Sequence, residues 1–190
     1  MGGCLYEFRK IIKLIKPTKY FGLLALSMPY IIIPILMMIE LGKKNYRLDL
    51  SLNNYSPILA IAIILSIWIN DTMAYLIGSF IGKTPFSKIS PKKTWEGTGG
   101  GAILCVIVMG IITHFVSAFY SLPLKHWLAI AAICAVFGTL GDLLESKIKR
   151  LANIKDSGSF MPGHGGFLDR FDSLLVATPF VWLYVQLFVR

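Results

Sequence analysis

This sequence predicts an all-α, polytopic membrane protein with about five transmembrane helices and polar loops on the cytoplasmic side. Three observations carry that reading. Hydrophobic residues make up 55% of the 190 and charged residues only 15%, against roughly 25% charged in ordinary soluble domains; mean hydropathy is +0.67. Apolar runs recur at lengths near the about 20 residues that a helix needs to cross a hydrocarbon core. The cations gather in alternate segments between those runs. The same composition excludes disorder, collagen and disulfide-stapled folds. Hydrophobicity is too high, glycine has no period, and Cys4, Cys105 and Cys134 are too few and too scattered.

Residues 1–19 form a basic segment, expected on the cytoplasmic side, that carries Arg9, Lys10, Lys13, Lys16 and Lys19. No small-residue cleavage pattern follows, so the first apolar run is expected to be retained. The expected spans are 20–41, 57–82, 101–120, 126–144 and 171–189, within one membrane domain over 20–190. The first contains Pro29 and Pro34, which spanning helices tolerate where neighbours satisfy the freed carbonyls. The second contains Asn70 and Asp71. At about 1.5 Å per residue Asp71 lies roughly 16 Å from the cytoplasmic end of that run, near mid-membrane. An acid there costs roughly 2.5 to 3.5 kcal/mol even on insertion scales, so it must face a polar cavity or a partner. Tyr75, one turn on, shares its face. Gly97, Gly99, Gly100 and Gly101 open the third span and permit close approach of another helix or a ligand.

Five spans place three basic segments on one side of the membrane. Residues 1–19 hold five Lys and Arg, residues 83–96 hold Lys83, Lys88, Lys92 and Lys93, and residues 145–170 hold Lys147, Lys149, Arg150, Lys155 and Arg170. Lys43, Lys44, Arg47, Lys125 and Arg190 fall on the other. The positive-inside rule makes the first group cytoplasmic. A net charge of +9 concentrated on one face fits anionic headgroups or a soluble anionic substrate better than a nucleic acid, which is not expected as a partner.

Topology needs lysines and arginines, but it does not need the acids, glycines and histidine that crowd the segment from Asp142 to Asp172. Asp142, near the cytoplasmic end of the fourth span, and Asp169, just before the fifth, arrive at one depth on one face. Such a pair can bind Mg²⁺, which typically takes one or two carboxylates and completes its shell with water and substrate phosphates. Gly163, Gly165 and Gly166 leave backbone N–H groups accessible, as a phosphate-wrapping loop requires. Lys149, Arg150, Lys155 and Arg170 would neutralise phosphate charge. In the loop after the second span, Ser90, Lys92, Lys93 and Thr94 could clamp a phosphate and fold against residues 142–172, beside Trp95, a residue type that anchors at membrane interfaces.

These residues resemble the phosphatidate cytidylyltransferase (CDP-diacylglycerol synthase) family. Its signature runs here as Ser146, Lys149-Arg150, Lys155-Asp156, Pro162-Gly163-His164-Gly165-Gly166 and Asp169-Arg170-Phe171-Asp172. The family's upstream pattern is matched by Asn70-Asp71-Thr72-Met73-Ala74-Tyr75, by Gly82-Lys83 and by Ile89 through Gly97, so the resemblance covers about residues 57 to 190. It implies transfer of the CMP moiety of CTP to phosphatidate, with Mg²⁺ required and a monovalent ion such as K⁺ beside it. Asp142 and Asp169 would hold the metal, with Asp71 and Asp172 as secondary ligands or orienting groups. Lys149, Arg150, Lys155 and Arg170 would hold the triphosphate with help from Ser90, Lys92 and Lys93, and His164 would act in proton transfer or hydrogen bonding. The resemblance further implies a cell inner membrane location with a cytoplasmic active face. Met1 to Lys19 shows no family signal, and family members carry additional N-terminal helices. A reduced member, a fragment with a late start and a chain completed by a homodimer partner are three open readings of that difference.

Overall fold

The computed structural model describes residues 2–15, 25, 27–43, 57–87, 89–116, 119, 122–158 and 165–189. Within them the elements are α1 (Gly2–Ile15), a π-helical turn (Met28–Ile32) running into α2 (Ile33–Lys43), α3 (Ile58–Ile81), α4 (Trp95–Phe115), α5 (Leu124–Leu151) and α6 (Leu168–Phe188). Among the described residues there is no strand, only an isolated pairing of Pro85 with Thr94. The all-α polytopic class holds. Helices α3 to α6 are each long and apolar enough to cross a membrane. The remaining expected span, 20–41, falls partly outside the described residues. Its described part is the π-helical turn and α2. The widened turn has a local cause: Pro34 has no N–H to offer the Tyr30 carbonyl, and its ring crowds that carbonyl.

Two helix ends lie furthest from the ends of the apolar runs. Helix α4 begins at Trp95 rather than 101 because Thr94 caps it, its Oγ1 accepting from Gly97 N at 3.1 Å. Helix α5 runs seven residues past the expected end at 144, to Leu151. Glu145, Ser146 and Lys149 lie on that extension, and with Asp142 just before it they take the i, i+3, i+4, i+7 spacing of one helix face.

Apolar surface alone does not drive helices together in lipid, so close van der Waals packing must. Ala74 and Gly78 of α3 meet Gly97 and Gly101 of α4 in such a contact. A Cβ on Gly97 would lie 2.7 Å from the Ala74 carbonyl oxygen, and one on Gly101 would lie 2.7 Å from Ala74 Cα. Gly99, on the other face, would meet nothing within 4 Å. Helices α5 and α6 approach as tightly at Gly141, where a Cβ would lie 2.6 Å from the Asp172 carbonyl oxygen. Leu59, Ile63, Met109, Trp127, Ile130 and Val181 fill the core between the four spans.

The basic N-terminal segment contains a helix that packs on the protein. Cys4, Phe8, Ile11 and Ile12 of α1 are buried with Ile31, Ala152, Leu168 and Leu175, while Tyr6, Arg9, Lys10 and Lys13 stay exposed. Outside the hydrocarbon core, burial of a side chain such as Phe8 or Ile11 contributes about 1.5 to 3 kcal/mol. At the opposite end of the bundle, Glu40 of α2 accepts from Trp182 Nε1 and Gln186 Nε2 of α6, each at 3.0 Å.

Candidate active site

The 82–94 connection is a compact excursion built from local hydrogen bonds. Phe86 N donates to the Lys93 carbonyl at 2.7 Å, Lys93 N to that of Ser90 at 3.1 Å, and Trp95 N to that of Thr84 at 3.0 Å. Glu96 ties down its start by accepting from Lys83 N, Thr84 N and Thr84 Oγ1. Trp95 is exposed and packs on Phe86 with ring centroids 4.3 Å apart. The excursion thereby presents Ser90, Lys92 and Lys93 to a cavity of about 430 Å³. Across it stand Asp71, Tyr75 and Ser79 of α3, and Thr139 and Asp142 of α5. Lys93 Nζ pairs with Asp142 Oδ2, which closes the loop onto α5.

Asp71 and Asp142 share this cavity because they share a depth. Asp71 is ten residues from the end of α3 and Asp142 nine from the end of α5, about 14 to 15 Å in each case. The acid placed near mid-membrane and the acid placed near the cytoplasmic end are therefore neighbours, since α5 continues where its apolar run stops. Asn70, buried beside Asp71, has Nδ2 3.5 Å from both Thr139 Oγ1 and Asp71 Oδ1, and its own Oδ1 has no hydrogen-bond partner among the described residues.

Asp169 stands in a second, adjoining network. Its Oδ1 accepts from Lys149 Nζ at 2.5 Å. Its Oδ2 accepts from Ser157 N at 3.0 Å and Gly166 N at 2.8 Å, and Ser157 Oγ lies 3.0 Å away. The Gly166 N–H is thus directed at this carboxylate, and Gly165, at φ +80°, has room for a Cβ only 2.7 Å from Asp169 Oδ2. Lys149 also pairs with Glu145 at 3.0 Å. Asp172 is buried between the two networks and accepts from Ser173 N at 2.6 Å. It lies within electrostatic reach of Asp142, Asp71 and Glu145.

The remaining described candidates lie around the end of α5 and the start of α6. Arg150 donates to the Ile154 carbonyl at 3.1 Å, closing the end of α5, and Lys155 is exposed in the following loop. Arg170 is exposed on the first turn of α6. Ser146 Oγ donates to Asp142 Oδ1 at 3.3 Å. His164 lies outside the described residues, as do Pro162 and Gly163.

The chemistry of the donor set can be tested against a divalent cation. Carboxylates run from Asp71 through Asp142, Asp172 and Glu145 to Asp169, with Lys93 at one end and Lys149 at the other. Glu145 is 1% exposed and its Oε1 has no hydrogen-bond partner among the described residues. Among those residues no three acidic, His or Cys side chains converge closely enough to hold a metal ion by themselves. This fits an ion such as Mg²⁺ only if it takes one or two carboxylates and completes its shell with phosphate and water.

Two contributors escape a reading of the sequence. Glu145 lies within the segment from Asp142 to Asp172, and its spacing from Asp142 and Lys149 puts it on their face. Glu7, in the basic N-terminal segment, accepts from Ser157 Oγ, Phe167 N and Leu168 N. The only local sign of it is a single acid on the apolar stripe of an amphipathic helix.

A family model described as the cytidylyltransferase family matches residues 7–188. The match starts at Glu7, inside the segment from which no family signal was expected. A phosphatidate cytidylyltransferase of Bacillus subtilis (strain 168) is 43% identical over 123 residues, 64% of this chain and 45% of that protein. One from Staphylococcus saprophyticus is 46% identical over 116 residues, 60% of this chain and 44% of that protein. Phosphatidate cytidylyltransferase 4, chloroplastic, of Arabidopsis thaliana is 44% identical over 118 residues, 61% of this chain and 29% of that protein. The aligned regions thus span less than half the length of these relatives. With the family model covering nearly its whole length, the chain belongs to the cytidylyltransferase family.

Proposed function

We propose that this chain transfers the CMP moiety of CTP to phosphatidate, giving CDP-diacylglycerol and pyrophosphate in phospholipid biosynthesis. The observation that carries the reading is the cavity itself: Ser90, Lys92 and Lys93 face Asp71 and Asp142 between helices long enough to span a bilayer. Phosphate-binding cations and carboxylates there meet at a place that a lipid headgroup and a dissolved nucleotide can both reach. The names of the relatives support the same chemistry.

In this reading a phosphate oxygen of phosphatidate attacks the α-phosphorus of CTP. The bond from that phosphorus to the oxygen bridging to the β-phosphate breaks, and pyrophosphate leaves with the electron pair. Such a transfer depends on positioning and charge neutralisation more than on a covalent protein nucleophile. Ser90, Lys92 and Lys93 hold phosphate oxygens from the loop side. Lys149, Arg150, Lys155 and Arg170 supply positive charge along the cytoplasmic rim, and His164 serves in proton transfer or hydrogen bonding. Asp142 and Asp169 would hold Mg²⁺, with Asp71 and Asp172 orienting and K⁺ as an accompanying ion. When bound, Mg²⁺ supplies charge neutralisation and polarisation of the phosphates. Gly165 and Gly166 contribute by letting the backbone close around Asp169.

In this reading the active face is cytoplasmic, at a cell inner membrane where CTP is supplied, and the basic bias of its loops supports that orientation. A second copy of the chain is the partner that would complete the lipid cavity. The test is conversion of radiolabelled CTP in detergent or liposomes, with and without phosphatidate and Mg²⁺. Lipid-extractable cytidine label matched by pyrophosphate, and dependent on both additions, is the expected result. Release of CDP with a polyprenol acceptor would replace it with a kinase reading.

A further inference from the structure

Glu7 is the only acid of α1 and is 5% exposed, surrounded in sequence by cations that point outward. Both carboxylate oxygens are used. Oε1 accepts from Phe167 N at 3.0 Å, and Oε2 accepts from Leu168 N at 2.9 Å and from Ser157 Oγ at 2.7 Å. Phe167, the residue at the head of α6, provides no side-chain cap. Glu7 therefore caps α6 from another helix, 160 residues away in sequence. Its negative charge also complements the positive end of the helix dipole. Gly158 and Gly166 admit it: a Cβ on either would run into its carboxylate.

The consequence extends to Asp169. Ser157, held by Glu7 through its hydroxyl, donates its backbone N–H to Asp169 Oδ2, and Gly166, packed against Glu7, donates its own to the same oxygen. Asp169 sits one residue beyond the Leu168 N–H that Glu7 also holds. Three of the connections that set the position of this carboxylate thus pass through one side chain on α1. We propose that Glu7 is a positioning residue of the active site, fixing Asp169 through Ser157 and the first turn of α6. The inference rests on the nucleotidyl-transfer reading, because positioning is read out in that reaction. The geometry it depends on can be measured without it.

The experiment compares wild type, Glu7→Gln, Glu7→Ala and Ser157→Ala in nanodiscs, by CTP turnover with phosphatidate and by hydrogen exchange. Glutamine keeps the size but offers one acceptor oxygen where two backbone donors wait, so one of them is left unpaired. Residues that orient a metal-ligating carboxylate, the role proposed for Asp169, are typically worth 10- to 100-fold in metal affinity or activity. Glu7→Gln should lower kcat by about tenfold and Glu7→Ala by about a hundredfold. KM for CTP should stay within about twofold in both, because Ser90, Lys92 and Lys93 line a cavity that Glu7 does not touch. Ser157→Ala should fall between wild type and Glu7→Ala. Amides of Phe167 and Leu168 should exchange faster in both Glu7 variants, while those of α3 and α4 keep wild-type protection.

A merely structural role would lower the yield and the melting temperature while leaving kcat per folded molecule unchanged, and that result overturns the proposal. So does unchanged protection at Phe167 and Leu168. If wild type makes no CDP-diacylglycerol, the reaction reading fails on its own. The exchange data then decide whether Glu7 holds the loop: faster exchange in the variants upholds the positioning geometry, and unchanged exchange rejects it.

Discussion

Lys93 and Asp142 form an ion pair that joins the 82–94 excursion to α5 across the mouth of the cavity. About 27% of the lysine side chain and 32% of the aspartate remain exposed. A pair this open contributes at most about 1 kcal/mol to folding, so its placement matters for charge at the cavity more than for stability.

Lys93→Met should therefore separate binding from stability. The expected result is a fall in kcat/KM for CTP of about thirtyfold, equivalent to about 2 kcal/mol for a charged partner removed. Thermal unfolding in detergent should change little. A variant with wild-type kcat/KM would show that Lys93 serves Asp142 alone.

Asp142→Ala and Asp169→Ala should both reduce turnover by about 10²- to 10³-fold, the scale for removing a group that stabilises transition-state charge. They should differ in the loop. Asp169 holds Ser157 and Gly166, so its loss should speed tryptic cleavage at exposed Lys155, whereas loss of Asp142 should leave cleavage unchanged. Full turnover in either variant would remove that residue from the proposed metal site.

The contact between α3 and α4 makes opposite predictions for two neighbouring glycines. Gly101→Ala drives a methyl into the Ala74 backbone and should destabilise by about 1 to 3 kcal/mol. Gly99→Ala meets open space and should stabilise by up to about 1 kcal/mol through helix propensity. Melting temperatures of the purified variants check both, and equal shifts would contradict the close crossing.

All three cysteines are buried. Burial also pushes the Cys4 thiol up from its ordinary range, which lowers the reactive thiolate fraction. Maleimide should label none of them in the native protein at neutral pH and all three after denaturation. Rapid native labelling of Cys4 would mean that α1 does not pack as described.

Much of this arrangement was legible beforehand, for identifiable reasons. Apolar runs located α3 to α6 because a bilayer imposes length, and the residues around Asp142 and Asp169 stood out because topology has no use for them. The end of α5 was not legible from hydropathy, since Glu145, Ser146 and Lys149 look like a loop until their helical spacing from Asp142 is counted. Glu7 was harder still. Its partners are Ser157, Phe167 and Leu168, and no local pattern around residue 7 encodes a contact that the fold alone creates. The Gly166 N–H, read from sequence as open to phosphate, is directed at Asp169 because the same turn must also hold that side chain.

The common depth of Asp71 and Asp142 has a further consequence. Each stands well inside its helix, so the cavity between them opens below the level of the helix ends. In the proposed reaction a lipid anchored by its tails in the leaflet would hardly rise to meet them, whereas a nucleotide arriving from solution would descend and give up part of its hydration. The solvation cost of the encounter therefore falls on the dissolved partner, and the cations of the 82–94 excursion stand where they can replace the lost water.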